Sequence, residues 1–210
     1  RPYAFGFFTT ALIVFAKAPV PGQAKTRLMP ALGAEGAARL AEQLLQHTLL
    51  QVGDAPVDHL ELCVAPDITH PVFEQARQAV GERLQLTQQG DGDLGERMHR
   101  ALSRALTRHR NVLLIGTDAP ALNASLLAAA GAALDTHDAV FVPALDGGYA
   151  LIGLTRAAPE LLLGMTWSTP QVMDHTRERA RRHGWRWAEL APVADIDEAA
   201  DLVHLPPGWL

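Results

Sequence analysis

Short apolar runs alternate along this chain with longer stretches in which apolar positions recur every three or four residues. Residues 12–16 form such a run, ended by prolines, and predict a buried strand. Pro19, Pro21 and Gly22 then force a loop. Across 34–52 the residues Ala37, Leu40, Ala41, Leu44, Leu45 and Thr48 fall on one helical face. A second strand is expected at 59–65, closed by Pro66, then a short helix at 72–80 and a short strand at 84–87. Asp93, with Glu96 three residues on, signals a capped helix over 94–108. The run 112–115 reads as a fully buried strand, followed by a helix to Leu134 capped by Asn123 or Ser125. Strands at 139–143 and 149–154 flank the turn Asp146-Gly147-Gly148. Thr169 followed by Pro170 predicts the start of a helix running to about His183, with a strand at 186–190 and a last helix at 198–204.

Strands that alternate with helices through residue 134 predict an α/β fold with an open, mostly parallel sheet and right-handed crossovers. The strand–turn–strand at 139–154 predicts a mixed sheet edge. No repeat or linker divides the chain, so residues 12–210 are expected to form one domain, with residues 1–11 an N-terminal extension.

Composition narrows the class. A net charge of −5 argues against broad nucleic-acid binding. No apolar run approaches the roughly 20 residues that span a bilayer, so no membrane association is expected. Cys63 sits alone in an apolar run, without a disulfide or zinc pattern, and reads as a small core residue of a cytoplasmic protein.

Charge placement then points to chemistry. The chain has 18 Lys and Arg, yet its only lysines are Lys17 and Lys25, both in the loop after the first strand. With Arg27 they concentrate positive charge where an open α/β sheet binds its ligands, at the strand's carboxyl end. Ammonium and guanidinium groups there suit a diphosphate or triphosphate, and Gly22 permits close backbone approach. A P-loop does not fit, because Ala24 and Pro19 stand where that motif needs glycine. Asp118, in Gly116-Thr117-Asp118-Ala119-Pro120, closes another buried strand and could bind a divalent cation through oxygen. Asp195 and Asp197 fall on one face if extended, and either could complete that site. Asp146-Gly147-Gly148 is a tight turn that either contacts a ligand or simply joins two strands. Gly90, in Gly90-Asp-Gly-Asp-Leu-Gly-Glu-Arg97, could help receive a base or phosphate, or belong to an ordinary capped loop. Trp167, Trp185 and Trp187 read as packing residues.

These motifs together resemble the DUF2064 family of glycosyltransferase-A-like proteins, described as selenium-domain or radical-SAM-associated transferases. The resemblance rests on Ile13-Val-Phe-Ala-Lys-Ala-Pro-Val-Pro-Gly-Gln-Ala-Lys-Thr-Arg-Leu28, Asp93-Leu-Gly-Glu-Arg-Met98, Ile115-Gly-Thr-Asp-Ala-Pro120, Asp146-Gly-Gly-Tyr-Ala-Leu-Ile-Gly-Leu154, Trp167-Ser-Thr169 and Asp195-Ile-Asp197. It spans about residues 12–203. The family often carries cysteine where Ala119 stands, so that position is not expected to be catalytic. The resemblance implies a three-layer α/β/α nucleotide-diphospho-sugar transferase (GT-A) fold, similar to molybdenum-cofactor nucleotidyltransferases and phospholactate guanylyltransferase. It implies that the 17–27 loop meets nucleotide phosphates and that Asp118 with the 195–197 pair binds Mg²⁺ or Mn²⁺.

The expected activity is transfer of a nucleoside monophosphate from a nucleoside triphosphate to a small phosphate or hydroxyl acceptor, releasing pyrophosphate. Lys25, Arg27 and Asp118 are the expected catalytic residues, with Lys17, Gly22, Gly90, Asp146, Gly147 and Gly148 added for nucleotide binding. Glycosyl transfer from a nucleotide sugar and nucleotide binding without turnover are the alternatives.

Overall fold

The computed structural model describes residues 9–210. Most of the expected N-terminal extension, residues 1–8, lies outside them, while Thr10 and Ala11 already belong to the first strand. A 7-stranded sheet runs in the order β3-β2-β1-β4-β6-β5-β7. Its strands are β1 (Thr10–Lys17), β2 (His59–Ala65), β3 (Leu84–Gln88), β4 (Asn111–Ile115), β5 (Ala139–Pro143), β6 (Tyr149–Leu154) and β7 (Trp187–Glu189). β1 lies inside the sheet and is parallel to both neighbours, with Leu12 opposite Leu60 on one side and Leu113 on the other. Being covered on both faces explains why its residues 11–16 are all buried and read as a continuous apolar run. β6 is antiparallel to β4 and β5, and β7 returns parallel to β5. The expected mixed edge is therefore present.

Helices cover both faces. On one lie α1 (Met29–Gly53), α2 (Pro71–Val80) and α4 (Ala124–Ala133), packed through Leu45, Leu49, Phe73 and Leu127. On the other lie α3 (Leu94–Leu106), α5 (Pro159–Leu162) and α6 (Val172–Arg182), packed through Met98, Leu102, Leu161, Leu162 and Met173. Cys63 is buried in this second core. The Asp93 carboxylate accepts from Glu96 N at 2.9 Å and Glu96 accepts from Asp93 N at 2.7 Å, so the predicted capping box closes α3. α1 is kinked at Gly33, whose φ of 73° is open to glycine, and the periodic pattern read from 34 onward is the part beyond the kink. No helix among the described residues is long and apolar enough to cross a membrane.

One helix start departs from expectation. α6 begins at Val172, not at Pro170, and Thr169 makes no cap; its hydroxyl donates instead to Thr166 O at 3.5 Å. Tertiary docking overrides the local signal. Met173 N donates to Gly147 O at 2.8 Å, and a Cβ on Gly147 would lie 2.0 Å from Pro170 O. The 167–170 segment is thus pressed onto the Asp146–Gly148 turn, with Ser168 at a φ of 60°.

β1, β4, β5 and β7 all point the same way. The segments that follow them, which carry Lys25, Asp118, Asp146 and Asp195, therefore emerge at one carboxyl edge, with the reversal of strand order between β1 and β4 beneath.

Candidate active site

The loop after β1 is held by backbone hydrogen bonds, one to the end of β2 and others within the loop. Ala18 N donates to Ala65 O at 2.8 Å, and Gln23 N and Ala24 N both donate to Val20 O. Lys17 Nζ donates to Gln23 O at 3.1 Å, so this exposed lysine braces the loop. Gly22 turns the chain at a φ of 82°. Lys25 takes the left-handed conformation at a φ of 51°, unfavourable for a residue with a Cβ. In that conformation its Nζ lies 2.6 Å from Asp118 Oδ1 and also donates to Ile196 O. Its side chain is only 8% exposed, whereas that of Asp118 is 49% exposed. Two residues on, Arg27 is 57% exposed and donates to Asp197 Oδ2 at 3.0 Å, with Glu198 Oε1 at 3.5 Å.

Burial of a single apolar side chain sets the 195–197 pair. Ile196 is fully buried among Leu28, Leu40 and Leu44, so its neighbours Asp195 and Asp197 are turned away from that core. Ile196 N donates to Asp118 O at 2.8 Å, which ties this segment to the end of β4. Val193 bridges Ala144, and Leu145 N donates to Val193 O at 3.0 Å, which brings Asp195 beside Asp146. Asp146 Oδ1 in turn accepts from Gly148 N at 2.8 Å, fixing the turn. Burial, then the charge of Asp146 and a hydrogen bond with it, and last the more distant Asp118, raise Asp195 to about 7 against a lowering backbone hydrogen bond.

Arg27, Asp118, Asp146, Gly148, Asp195 and Asp197 line one cleft of 540 Å³. Lys17, Gly22, Lys25, Gly90 and Gly147 do not line it. Lys25 sits behind Asp118, and Gly147 supports Pro170. Gly90 belongs to a neighbouring loop shaped by Arg100, which donates to Gln89 O at 2.6 Å and Asp91 O at 2.9 Å. Buried Gln89 links that loop to the strand ends through Ala16 O at 3.2 Å and Cys63 O at 3.1 Å.

Sequence reasoning missed the far wall of the cleft. Phe15, Leu94, Met98, Leu114, Tyr149 and Trp167 form it. Apolar periodicity does not distinguish such residues from core, and Trp167, expected to be packing, lines the cleft. The one signal available was its place in the Trp167-Ser-Thr169 motif.

Among the described residues no three His, Cys, Asp or Glu side chains form a metal cage on their own. The donor chemistry nevertheless fits a hard cation completed by substrate. Asp118, Asp146 and Asp195 are all oxygen donors, and the Asp195 carboxyl is raised to about 7, chiefly by burial and then by the charge of Asp146, a repulsion a divalent ion relieves.

The sheet order, the covering helices and the cleft at the reversal point define the class as the nucleotide-diphospho-sugar transferase fold, and place the chain among the transferases built on it. The chain belongs to the family described as uncharacterized protein conserved in bacteria (DUF2064), whose profile matches residues 48–169. A provisionally named nucleotide-diphospho-sugar transferase from Desulfovibrio desulfuricans G20 shares 32% identity, with a TM-score of 0.83 over 92% of this chain and 84% of that one. More distant structures share the fold alone. A 4-diphosphocytidyl-2C-methyl-D-erythritol synthase from Anaerococcus prevotii DSM 20548 aligns with a TM-score of 0.64 at 11% identity, over 93% of each chain. A nucleotidyl transferase from Methanothermobacter thermautotroptrophicus aligns with a TM-score of 0.64 at 18% identity, over 93% of this chain and 95% of that one. No curated protein matches the sequence. The expected family and three-layer fold are both borne out.

Proposed function

We propose that the protein is a divalent-cation-dependent nucleotidyltransferase, moving a nucleoside monophosphate from a nucleoside triphosphate to a small acceptor with release of pyrophosphate. The observation that carries this reading is the pairing of two of the three loop cations with carboxylates at the carboxyl edge, Lys25 with Asp118 and Arg27 with Asp197. Phosphates arriving there meet cations already held in place, and positioned charge is what phosphoryl chemistry chiefly asks of a protein.

Asp118 would hold Mg²⁺ or Mn²⁺ together with Asp195, since Asp197 is engaged by Arg27. The ion would neutralise phosphate oxygens and hold them in line. Arg27, the more exposed cation, faces the leaving pyrophosphate. Lys25 acts from behind, fixing Asp118 and adding charge at short range. Lys17 and Gly22 shape the loop, and the Gly90 loop beside the ends of β1 and β2 receives the base. Asp146 orients the acceptor from the β5–β6 turn.

The test is a thermal-shift screen of nucleoside triphosphates and nucleotide sugars with and without Mg²⁺, followed by product analysis of those that bind. A Mg²⁺-dependent melting shift with a triphosphate, then pyrophosphate release, is expected. The provisional name of the 32%-identical structure favours a second reading, glycosyl transfer, which releases a nucleoside diphosphate instead. A protein that binds nucleotide without turnover would release neither.

A further inference from the structure

The cleft is chemically divided. Asp118, Asp146, Asp195, Asp197 and Glu198 bring carboxylates to it from the loops. The opposite wall, from Phe15 to Trp167, belongs to or packs on the apolar core under α3. We infer that this wall receives the organic body of the acceptor, and that the acceptor is an uncharged, hydroxyl-bearing ring rather than a phosphate ester. The inference rests on the transferase reading above.

Charge decides between the two acceptor chemistries. Among the described residues Arg27 is the only lysine or arginine lining the cleft, and it is already shared between Asp197 and Glu198. A phosphate monoester on the acceptor would find no guanidinium fork free for it and would face a carboxylate cluster. A neutral ring meets neither obstacle. Its face can lie against Phe15, Tyr149 and Trp167, which favour flat or CH-rich surfaces.

Two further observations describe how the wall is made and held. Tyr149 Oη and Trp167 Nε1 are buried and have no hydrogen-bond partner among the described residues, although both side chains line the cleft. Both atoms are enclosed, the indole Nε1 against Gly95 of α3, so the wall offers a ligand the apolar ring carbons of Tyr149 and Trp167 rather than these polar atoms. The wall is also clamped. A Cβ on Gly95 would come within 2.9 Å of the Trp167 indole, and one on Gly147 within 2.0 Å of Pro170 O. Ser168, between them in the segment, is held at a φ of 60°. Strain kept in a fixed wall is characteristic of binding sites.

In the transfer, the ring hydroxyl oxygen forms the new bond to the α-phosphorus as the bond to the bridging oxygen breaks. That electron pair leaves with pyrophosphate, and the hydroxyl proton passes to solvent through the cleft carboxylates.

The test is calorimetric titration of the whole protein, with and without nucleotide and Mg²⁺. The probes are tyrosol and myo-inositol as neutral rings, and phenyl phosphate and inositol 1-phosphate as charged counterparts. The tyrosol and inositol arms separate a phenolic from a polyol ring. At least one neutral ring should bind with a Kd below about 1 mM, and about tenfold more tightly than its ester. Leu94→Asp, which places an acid acceptable in the first turn of α3 on the wall, should weaken the ring about tenfold while the nucleotide-induced melting shift persists. Trp167→Leu should do the same. An ester that binds as well as the neutral ring overturns the inference. So does failure of both neutral rings, or wild-type ring affinity in Leu94→Asp, in protein that still responds to nucleotide. Loss of the nucleotide response itself in the wild type overturns the transferase reading instead.

Discussion

Asp195 makes the charge balance of the site measurable without knowing any substrate. Its carboxyl is raised from 3.8 to about 7 by burial and by Asp146 and Asp118. In the folded protein it therefore keeps a proton that the unfolded chain releases near pH 4. Its contribution to stability is full below the unfolded value and is lost as pH rises through about 7. At about 1.4 kcal/mol per unit the shift sets a ceiling of about 4 kcal/mol; because the group is only half-buried, screening reduces this to about 2 kcal/mol. Asn mimics the protonated acid at every pH. Asp195→Asn should therefore match the wild type near pH 4 and exceed it by about 2 kcal/mol near pH 8, or about 4–8 °C in Tm for a chain of this size. The assay is thermal unfolding of both proteins across that range in chelator. His109, whose pKa is lowered chiefly by burial, and Glu160 and Glu189, whose pKa values are lowered, also titrate, but they do so in both proteins and drop out of the difference. Added Mg²⁺ should narrow the gap at high pH, because the wild type gains a ligand the variant cannot hold as well. A gap that stays constant with pH, or a variant no more stable than wild type near pH 8, refutes the reasoning.

Lys25→Met leaves Asp118 without its partner and should cost about 1–3 kcal/mol in urea unfolding, less than a fully buried pair because Asp118 is half-exposed. It should also abolish the nucleotide-induced melting shift, and unchanged nucleotide affinity would remove Lys25 from the phosphate site. Ile196→Ala should lower stability by about 2–4 kcal/mol and turnover with it, since the buried side chain sets both flanking carboxylates; a stability loss with full activity would show that they are positioned some other way. Gly147→Ala places a Cβ 2.0 Å from the Pro170 carbonyl at a φ of 96°, so more than about 1 kcal/mol should be lost and the 167–170 wall displaced, read as altered tryptophan fluorescence.

The parts of this protein that a one-dimensional pattern can express were legible in advance. β2, β5 and β6 begin and end where their apolar runs do, because proline, glycine or charge borders each of them. Asp93 and Glu96 announced α3 because a capping box is local, complete within four residues. The convergence of the loops followed from strand direction, and so most of the cleft carboxylates were found. What failed to show was anything set by side-chain direction across the fold. Lys25 and Arg27 are two residues apart in one loop, yet one is buried behind Asp118 and the other is exposed beside Asp197, a difference fixed by the left-handed turn at Lys25. Phe15 and Ile13 lie on the same face of β1, and only the end of the sheet makes Phe15 a cleft residue. The start of α6 departs from its local signal because Pro170 serves the Gly147 contact before it serves the helix.

The two ion pairs also give Lys25 and Arg27 a role before any ligand arrives. Without ligand, Lys25 and Arg27 neutralise Asp118 and Asp197, so the carboxyl edge carries less repulsion than its acid count suggests. A triphosphate that competes with Asp118 for the charge of Lys25 leaves that carboxylate less neutralised and raises its demand for a divalent ion, which it would share with Asp195. Nucleotide and metal should therefore each bind weakly alone and strengthen each other by an equal factor, as linkage requires. Titrating Mn²⁺ with and without a non-hydrolysable triphosphate, and the triphosphate with and without Mn²⁺, measures that factor from both sides. Independent binding would mean that the ion pairs stay closed when the nucleotide arrives, and that Lys25 and Arg27 hold the loop rather than the phosphates.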